Sequence, residues 1–317
     1  MEIDEASEAC SAVVDTIGSA VVAERSFFDR ILLAVLARGH VLLEDVPGTG
    51  KTLTARSMAT ALGLEFSRVQ FTPDLLPADV TGTNVFDEST GEFTFSPGPI
   101  FANVVLADEI NRAPPKTQAA LLEAMEEGQV TVDGETHELP TPFIVVATQN
   151  PVEQEGTFAL PEAQLDRFLV KTTIGYPDRD GELELLYRRA GRLERSPSVE
   201  RVLDPGSVLA VRRTPEDVRV DDDLFEYVVD LARATRADRR VQVGVSPRGT
   251  QRLFEAARAK AVLAGREYVT PDDIVDVVQP VFAHRLILTA DAAVRDVEKR
   301  TVVAETLDSV PVPTLSH

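Results

Sequence analysis

The sequence predicts an α/β fold in which a parallel sheet, interrupted by two β-hairpins, is followed by an α-helical second domain. Three observations carry that expectation. Apolar runs at HVLLEDV (40–46), NVVLADE (103–109) and FIVVATQN (143–150) each end in polar residues and are separated by helical segments. That is the pattern of buried parallel strands, whose carboxyl ends collect ligands. Two further stretches alternate around tight-turn signals, and beyond Tyr176 the pattern becomes helical, which sets a domain boundary between residues 177 and 178.

Residues 11–38 read as helical, with Ile31, Leu32, Val35 and Leu36 filling one stripe. The run from His40 is a short buried strand, and the loop Pro47–Gly50 leads into a helix beginning near Lys51. QVTVDGETHEL (129–139) alternates around Asp133-Gly134, and TNVFDESTGEFTFSPGP (83–99) forms a second hairpin with its turn near Thr90-Gly91. In the second domain, Ser246-Pro247 and Thr270-Pro271 each read as a cap followed by proline at the first helical position. Asp273 completes a capping-box spacing with Thr270. RLERSPSVERVLDPGS (192–207) is a polar connector, and the tail beyond about residue 305 is expected to be loose.

Composition bounds the function. The 32 basic and 52 acidic residues leave a net charge of −20, far from that of a nucleic-acid-binding surface. Only five residues are lysines (Lys51, Lys116, Lys171, Lys260, Lys299), and the excess of carboxylates points to a cytoplasm rich in salt. The single cysteine, Cys10, excludes an internal disulfide and fits a reducing compartment. An acidic N-terminus and the lack of a long apolar run predict a cytoplasmic protein with no membrane segment. The four scattered histidines make no metal-ligand cluster.

The chemistry concentrates at the ends of the three predicted strands. LLEDVPGTGKT (42–52) approaches a phosphate-binding loop, but Asp45 stands where the general pattern has its first glycine. Such a loop aims backbone N–H groups and a helix N-terminus at phosphate oxygens. Gly48 and Gly50 permit the tight path, Lys51 would reach the β- and γ-phosphates, and the Thr52 hydroxyl would ligate Mg²⁺. Pro47, Thr49 and Leu53 complete the candidate nucleotide-binding segment. On the second strand, Asp108 suits the Mg²⁺ shell and Glu109 is placed to polarise an attacking water. Asn150, ending the third, would orient that water.

The stretches LLEDVPGTGKT, LADEINRAPPKTQAALLEAMEEGQVTVDG and VVATQNPVEQEGTFALPEAQLDRFLV resemble the MoxR family of AAA+ ATPases, over a span from about Val21 to Leu288. In that family an acid-Val-Pro stretch before the glycine-rich loop is usual, which accounts for Asp45. The resemblance implies an AAA+ P-loop NTPase domain over 1–177 and an α-helical lid domain over 178–317, with ATP and Mg²⁺ as substrate and cofactor. It implies that Lys51 and Thr52 belong to Walker A, that Asp108 and Glu109 form Walker B and that Asn150 is sensor 1. Arg167, in LDRF, resembles an arginine finger inserted into the neighbouring subunit's site, and Arg248, in SPRGTQ, resembles sensor 2. An arginine in the first turn of a helix faces the positive end of the dipole, a position an anionic partner would compensate. Whether Arg248 serves its own site or the neighbour's stays open at this point, as does whether Arg112 joins a subunit interface or pairs with Glu109. AVVAERSFF departs from the family's glycine-glutamine pair, so Val21 and Val22 either pack on adenine or belong to the core.

By resemblance, the chain would work as a homo-oligomer, a hexameric ring, maturing a client protein with a von Willebrand factor A domain partner. A nucleic-acid motor is the second reading, and QVTVDGETHELPTP argues against it by containing no lysine or arginine. A scaffold that binds ATP without turnover is opposed by the presence of both Glu109 and Asn150. A magnesium-chelatase-like motor subunit is a variant of the first reading.

Overall fold

The computed structural model describes residues 1–89, 91–152, 156–193 and 197–314. The expected turn residue Thr90, part of the third long motif (153–155) and part of the connector (194–196) lie outside them. The first half runs α1 (Ile3–Ala20), α2 (Arg25–Leu36), β1 (Val41–Glu44), α3 (Lys51–Ala61), β2 (Phe66–Gln70), α4 (Pro77–Thr81), β3 (Gly82–Asp87), β4 (Glu92–Pro97) and β5 (Val104–Asp108). It continues through α5 (Pro115–Glu127), β6 (Gln129–Val132), β7 (Glu135–Glu138), β8 (Ile144–Gln149), α6 (Glu162–Leu165) and β9 (Val170–Thr172). The second half is α7 (Arg179–Ala190), α8 (Pro205–Val211), α9 (Asp222–Ala237), β10 (Val241–Val243), α10 (Pro247–Leu263), α11 (Pro271–Phe282), β11 (Ile287–Leu288), α12 (Ala290–Val294) and α13 (Lys299–Ser309).

Five parallel strands form the sheet in the order β2-β5-β8-β1-β9. β1 is an interior strand, pairing Val41 with Val146 of β8 on one side and with Val170 of the edge strand β9 on the other. The period-two alternation of buried strands divides the apolar residues between two layers. Leu42, Val105, Ala107, Val145 and Ala147 pack with Leu121 and Leu122 of α5. Val41, Leu43, Val104, Leu106 and Val146 pack on the other face with Phe27 and Ile31 of α2. That second core continues without a break into the helical half through Leu253, Ala256, Ile274 and Phe282. A buried phenylalanine contributes about 1.5–3 kcal/mol, so the lid is anchored by a shared core as well as by the chain connection.

Several expectations are corrected. The helical reading of 11–38 resolves into two helices: α1 starts at Ile3, and the chain is extended at Val21 (φ −118°, ψ 130°) before Glu24 caps α2. Each helix buries its own stripe, Ala6, Cys10, Val13 and Ile17 on α1 and Phe27, Phe28 and Ile31 on α2, so one continuous rod cannot satisfy both. Strands β2 and β9 join the three that were expected, at the two edges of the sheet. The tail does not loosen at 305: α13 continues to Ser309, with Val302, Val303 and Thr306 buried against α9 and α11. The connector's Val202 and Leu203 donate backbone N–H groups to the Ala61 carbonyl at the end of α3, at 2.8 and 3.0 Å.

Both hairpins are present as antiparallel pairs, β3 with β4 and β6 with β7. Asp133 (φ 51°) and Gly134 (φ 87°) are both left-handed, the geometry that makes Asp-Gly a two-residue hairpin turn. Ser246 caps α10 by accepting the Gly249 N–H, and Asp273 accepts the Thr270 N–H at 2.8 Å to close the capping box. Among the described residues no helix is long and apolar enough to cross a membrane.

Candidate functional site

The glycine-rich loop emerges from the carboxyl end of β1 and feeds directly into α3, whose N-cap is Gly50. Gly48 (φ 89°) and Gly50 (φ 96°) hold left-handed conformations, and a Cβ at either would meet no atom within 4 Å. The requirement there is conformational freedom beside open space, as a loop that receives a ligand demands. Lys51 is buried and donates from Nζ to the Asp45 carbonyl at 2.6 Å. Thr49 Oγ1 donates to the Val46 carbonyl at 3.3 Å; Pro47 is exposed, Thr52 is half-buried and Leu53 packs on the core.

Asp45 does not enter the loop's concavity. Its carboxylate accepts the backbone N–H groups of Ile174 and Gly175 just beyond β9, while its own N–H donates to the Gln149 carbonyl at 3.1 Å. The acid that replaces glycine therefore points sideways and ties the phosphate loop to the segment leading into the lid.

Asp108 and Glu109 end the adjacent strand, β5. Asp108 is buried; its Oδ1 accepts the Thr148 hydroxyl at 2.7 Å and its Oδ2 accepts Arg68 Nη2 at 2.7 Å. Glu109 adopts φ 56°, ψ 50°, a left-handed conformation costing an ordinary residue about 1–3 kcal/mol. Its N–H donates to Thr148 Oγ1 at 2.8 Å, and its Oε2 accepts both Gln70 Nε2 and Arg112 Nη1 at 3.0 Å. Of the two alternatives for Arg112, the structure thus contains the pairing with Glu109. Asn150, buried just after β8, accepts the Val152 N–H on Oδ1 at 3.1 Å, closing the Asn-Pro turn while lying beside the loop. Lys51, Thr52, Asp108, Glu109 and Asn150 all gather at the carboxyl ends of β1, β5 and β8.

Arg167 and Arg248 gather elsewhere. Arg167 precedes the amino end of β9, where the Leu169 N–H donates to the His40 carbonyl at 2.9 Å, just ahead of β1. The guanidinium of Arg167 donates to the Leu122 carbonyl and lies 3.9 Å from Glu126 Oε2 on α5. Arg248, from the first turn of α10, donates to Glu126 Oε1 at 2.7 Å. That hydrogen bond holds the Glu126 carboxyl below its ordinary range. Because β1 and β9 are parallel neighbours, the two arginines lie at the opposite end of the sheet from the chain's own glycine loop. About 13 Å of strand intervenes, four residues at about 3.3 Å each.

Val21 is buried in the core, and Val22 lies against the start of α7, where a Cβ on Gly181 would meet its Cγ1 at 3.2 Å. The sequence reading missed Arg68 and Gln70 on β2, Thr148 beside Asp108, and Glu126 between the arginines. No local motif marks them; a polar residue alternating with others on a short strand carries no signal until its neighbour strand is known.

The donor set fits a magnesium nucleotide: an open loop of two left-handed glycines at a helix N-terminus, a lysine, a hydroxyl and a buried carboxylate. The Arg68 guanidinium already places a cation on Asp108, so that carboxylate is built to be compensated by positive charge. A family model described as "ATPase family associated with various cellular activities (AAA)" matches residues 40–170, and one for the AAA lid domain matches 233–306. A Bacillus subtilis protein of uncharacterised function, YeaC, is 49% identical over 95% of this chain and 93% of its own. Chaperone MoxR1 of Mycobacterium tuberculosis is 42% identical over 92% of this chain and 79% of its own. A solved structure of a candidate ATPase from Cytophaga hutchinsonii superposes with a TM-score of 0.90 at 38% identity, covering 98% of this chain and 96% of that one.

Proposed function

The chain belongs to the MoxR family of AAA+ ATPases, and from that premise we propose that it is a magnesium-dependent ATPase whose active sites form between protomers of a hexameric ring. The separation of the catalytic groups carries this reading. Lys51, Asp108, Glu109 and Asn150 sit at the carboxyl end of the sheet, while Arg167 and Arg248 sit together at the amino end. A protomer whose two cations face away from its own loop needs a second protomer to complete a site, which favours a trans role for Arg248 as well as for Arg167.

In that site the α3 N-terminus and Lys51 bind the phosphates, and Thr52 and Asp108 hold magnesium, which when bound neutralises charge on the transferring phosphoryl group. Glu109 accepts a proton from the attacking water, and Asn150 orients that water. Gln70 and Arg112 hold the Glu109 carboxylate until it turns toward the substrate. Arg167 and Arg248 of the neighbouring protomer stabilise developing charge, a contribution of about 10³–10⁵ in rate for an arginine finger. The work done with this energy is the remodelling or maturation of a client protein complex, together with a von Willebrand factor A domain partner. One relative is named a chaperone, which supports that direction.

Mixing Glu109→Gln with Arg167→Ala protein tests the arrangement. Each variant alone should hydrolyse ATP at least a hundredfold more slowly than the unmodified protein. Mixed rings should recover activity, because the Glu109→Gln protomer supplies cations to an intact Glu109 site. Absence of recovery in rings shown to contain both variants overturns the intersubunit reading.

A further inference from the structure

We propose that Arg285 is a positioning residue that bolts Arg167 and Arg248 of one protomer into a single unit, an inference that rests on the intersubunit reading above. Arg285 lies in the turn after α11, and its side chain is 2% exposed. Its guanidinium spends its donors on the segment that carries Arg167. Nε donates to Asp166 Oδ1 at 2.7 Å, Nη2 to the Asp166 and Phe168 carbonyls at 3.1 and 2.7 Å, and Nη1 to the Leu169 carbonyl at 3.2 Å. A further bond reaches the Val281 carbonyl at the end of its own helix. Arg167 is thus held through both chain neighbours by a residue of the lid, whereas its own side chain bonds to α5.

The same arm reaches Arg248. A Cβ on Gly249, the residue after Arg248, would lie 2.9 Å from Arg285 Cδ and 2.7 Å from Val245 Cγ1, so the first turn of α10 closes directly on the Arg285 stem. Ser246, the α10 cap, donates its hydroxyl to Asp166 Oδ2 at 3.4 Å. Asp166 therefore receives both the lid arginine and the cap of the helix that presents Arg248. A fork of planar donors matches this array of one carboxylate and four carbonyls in a way a single ammonium cannot. Misplacement of a catalytic group by about 1 Å can cost 10²-fold in rate, so losing the bolt should be felt at the neighbour's site, with the protomer's own nucleotide loop untouched.

The test uses Arg285→Met and Gly249→Ala in the full chain, with Arg167→Ala as reference. Each should lose on the order of 10² in turnover while binding a fluorescent ATP analogue as tightly as the unmodified protein. Adding Glu109→Gln protomers should restore hydrolysis at the variants' own sites; adding Arg167→Ala protomers should not. A purely structural defect would not be repaired in trans. If Arg285→Met fails to fold, Gly249→Ala decides the matter, since it displaces the arm but keeps the Arg285–Asp166 charges. Turnover within twofold of the unmodified protein overturns the proposal, as does a loss that Glu109→Gln fails to repair while repairing Arg167→Ala. Unmodified turnover by Arg167→Ala itself would remove the intersubunit reading and this inference with it.

Discussion

Asp45 shows how a loop can lose a pattern residue and keep its shape. With no Cβ requirement inside the concavity, the side chain turns outward and takes the Ile174 and Gly175 N–H groups, an anchor glycine could not provide. Lys51, Asp108, Glu109 and Asn150 were legible because each follows an apolar run that ends abruptly, and strand ends are where a parallel sheet presents ligands. Arg68, Gln70, Glu126 and Arg285 were not, because their partners are remote in sequence and only the sheet order, for the first two, and the packing of helices, for the last two, brings them together. His40 is a further case. Its Nδ1 accepts the Val145 N–H at 3.0 Å, which leaves the proton on Nε2, facing the Met125 carbonyl at 3.1 Å. Burial lowers its pKa to about 4, against an ordinary value near 6.5. On acidification the unfolded chain takes up this proton first, so the stability linked to neutral His40 is complete above about pH 6.5 and is lost as pH falls through about 4. At 1.36 kcal/mol per unit that amounts to roughly 3 kcal/mol. Thermal unfolding followed from pH 7.5 to 4.5 should show this loss, and His40→Asn, less stable at neutral pH, should show a shallower slope. Parallel profiles for the two proteins would assign the acid sensitivity to other groups.

The strands that escaped the sequence are those at the sheet's edges. FSRVQ buries only Val69 fully, and VKT has three residues; an edge strand need not be apolar on both faces, so it leaves no continuous run. The two hairpins were legible through turn chemistry, but their union was not. Asn84 Nδ2 donates to Asp133 Oδ2 at 2.9 Å, and the Phe95 and His137 rings stack with centroids 3.7 Å apart at 9°, joining the two hairpins across a long stretch of sequence. The caps at Ser246 and Thr270 were readable because their chemistry is local, spanning three residues. The end of helix α13, read as loose beyond about residue 305, carries little apolar signal of its own, since it is held by an apolar pair one turn earlier. Val302 is fully buried and Val303 nearly so, which makes this terminal helix part of the core shared by both halves. Val302→Ala should therefore lower stability by about 1–3 kcal/mol, judged from the cost of deleting buried methyl groups, measured as a drop in denaturation midpoint. A midpoint unchanged within error would mean that α13 detaches before the rest of the molecule unfolds.

For the molecule as a whole, the dominant long-range term is charge. The excess of 52 acidic over 32 basic residues places like charges within each other's reach across most of the surface. Local devices absorb some of it: Asp221, Asp222 and Asp223 stand in the cap and first turn of α9, where the helix dipole favours them. Ion pairs on the surface offset little more, since an exposed pair is worth about 0–1 kcal/mol. The remaining self-repulsion favours the expanded chain and is weakened by salt. The Debye length falls from about 10 Å at 0.1 M to about 3 Å at 1 M, at which point neighbouring surface carboxylates are largely hidden from one another. The denaturation midpoint should therefore climb steeply between 0.1 and 1 M potassium chloride and then flatten, with sodium chloride giving the same curve. A midpoint that keeps rising in proportion to salt up to 3 M would point to salt excluded from the protein surface, which strengthens burial, and not to screening. A midpoint indifferent to salt would remove the high-salt reading of the composition altogether. The proposed ring would add a second readout, because in it protomers that each carry a net charge of −20 must approach one another. If screening governs both processes, the salt range that stabilises the fold is also the range in which assembly and hydrolysis appear.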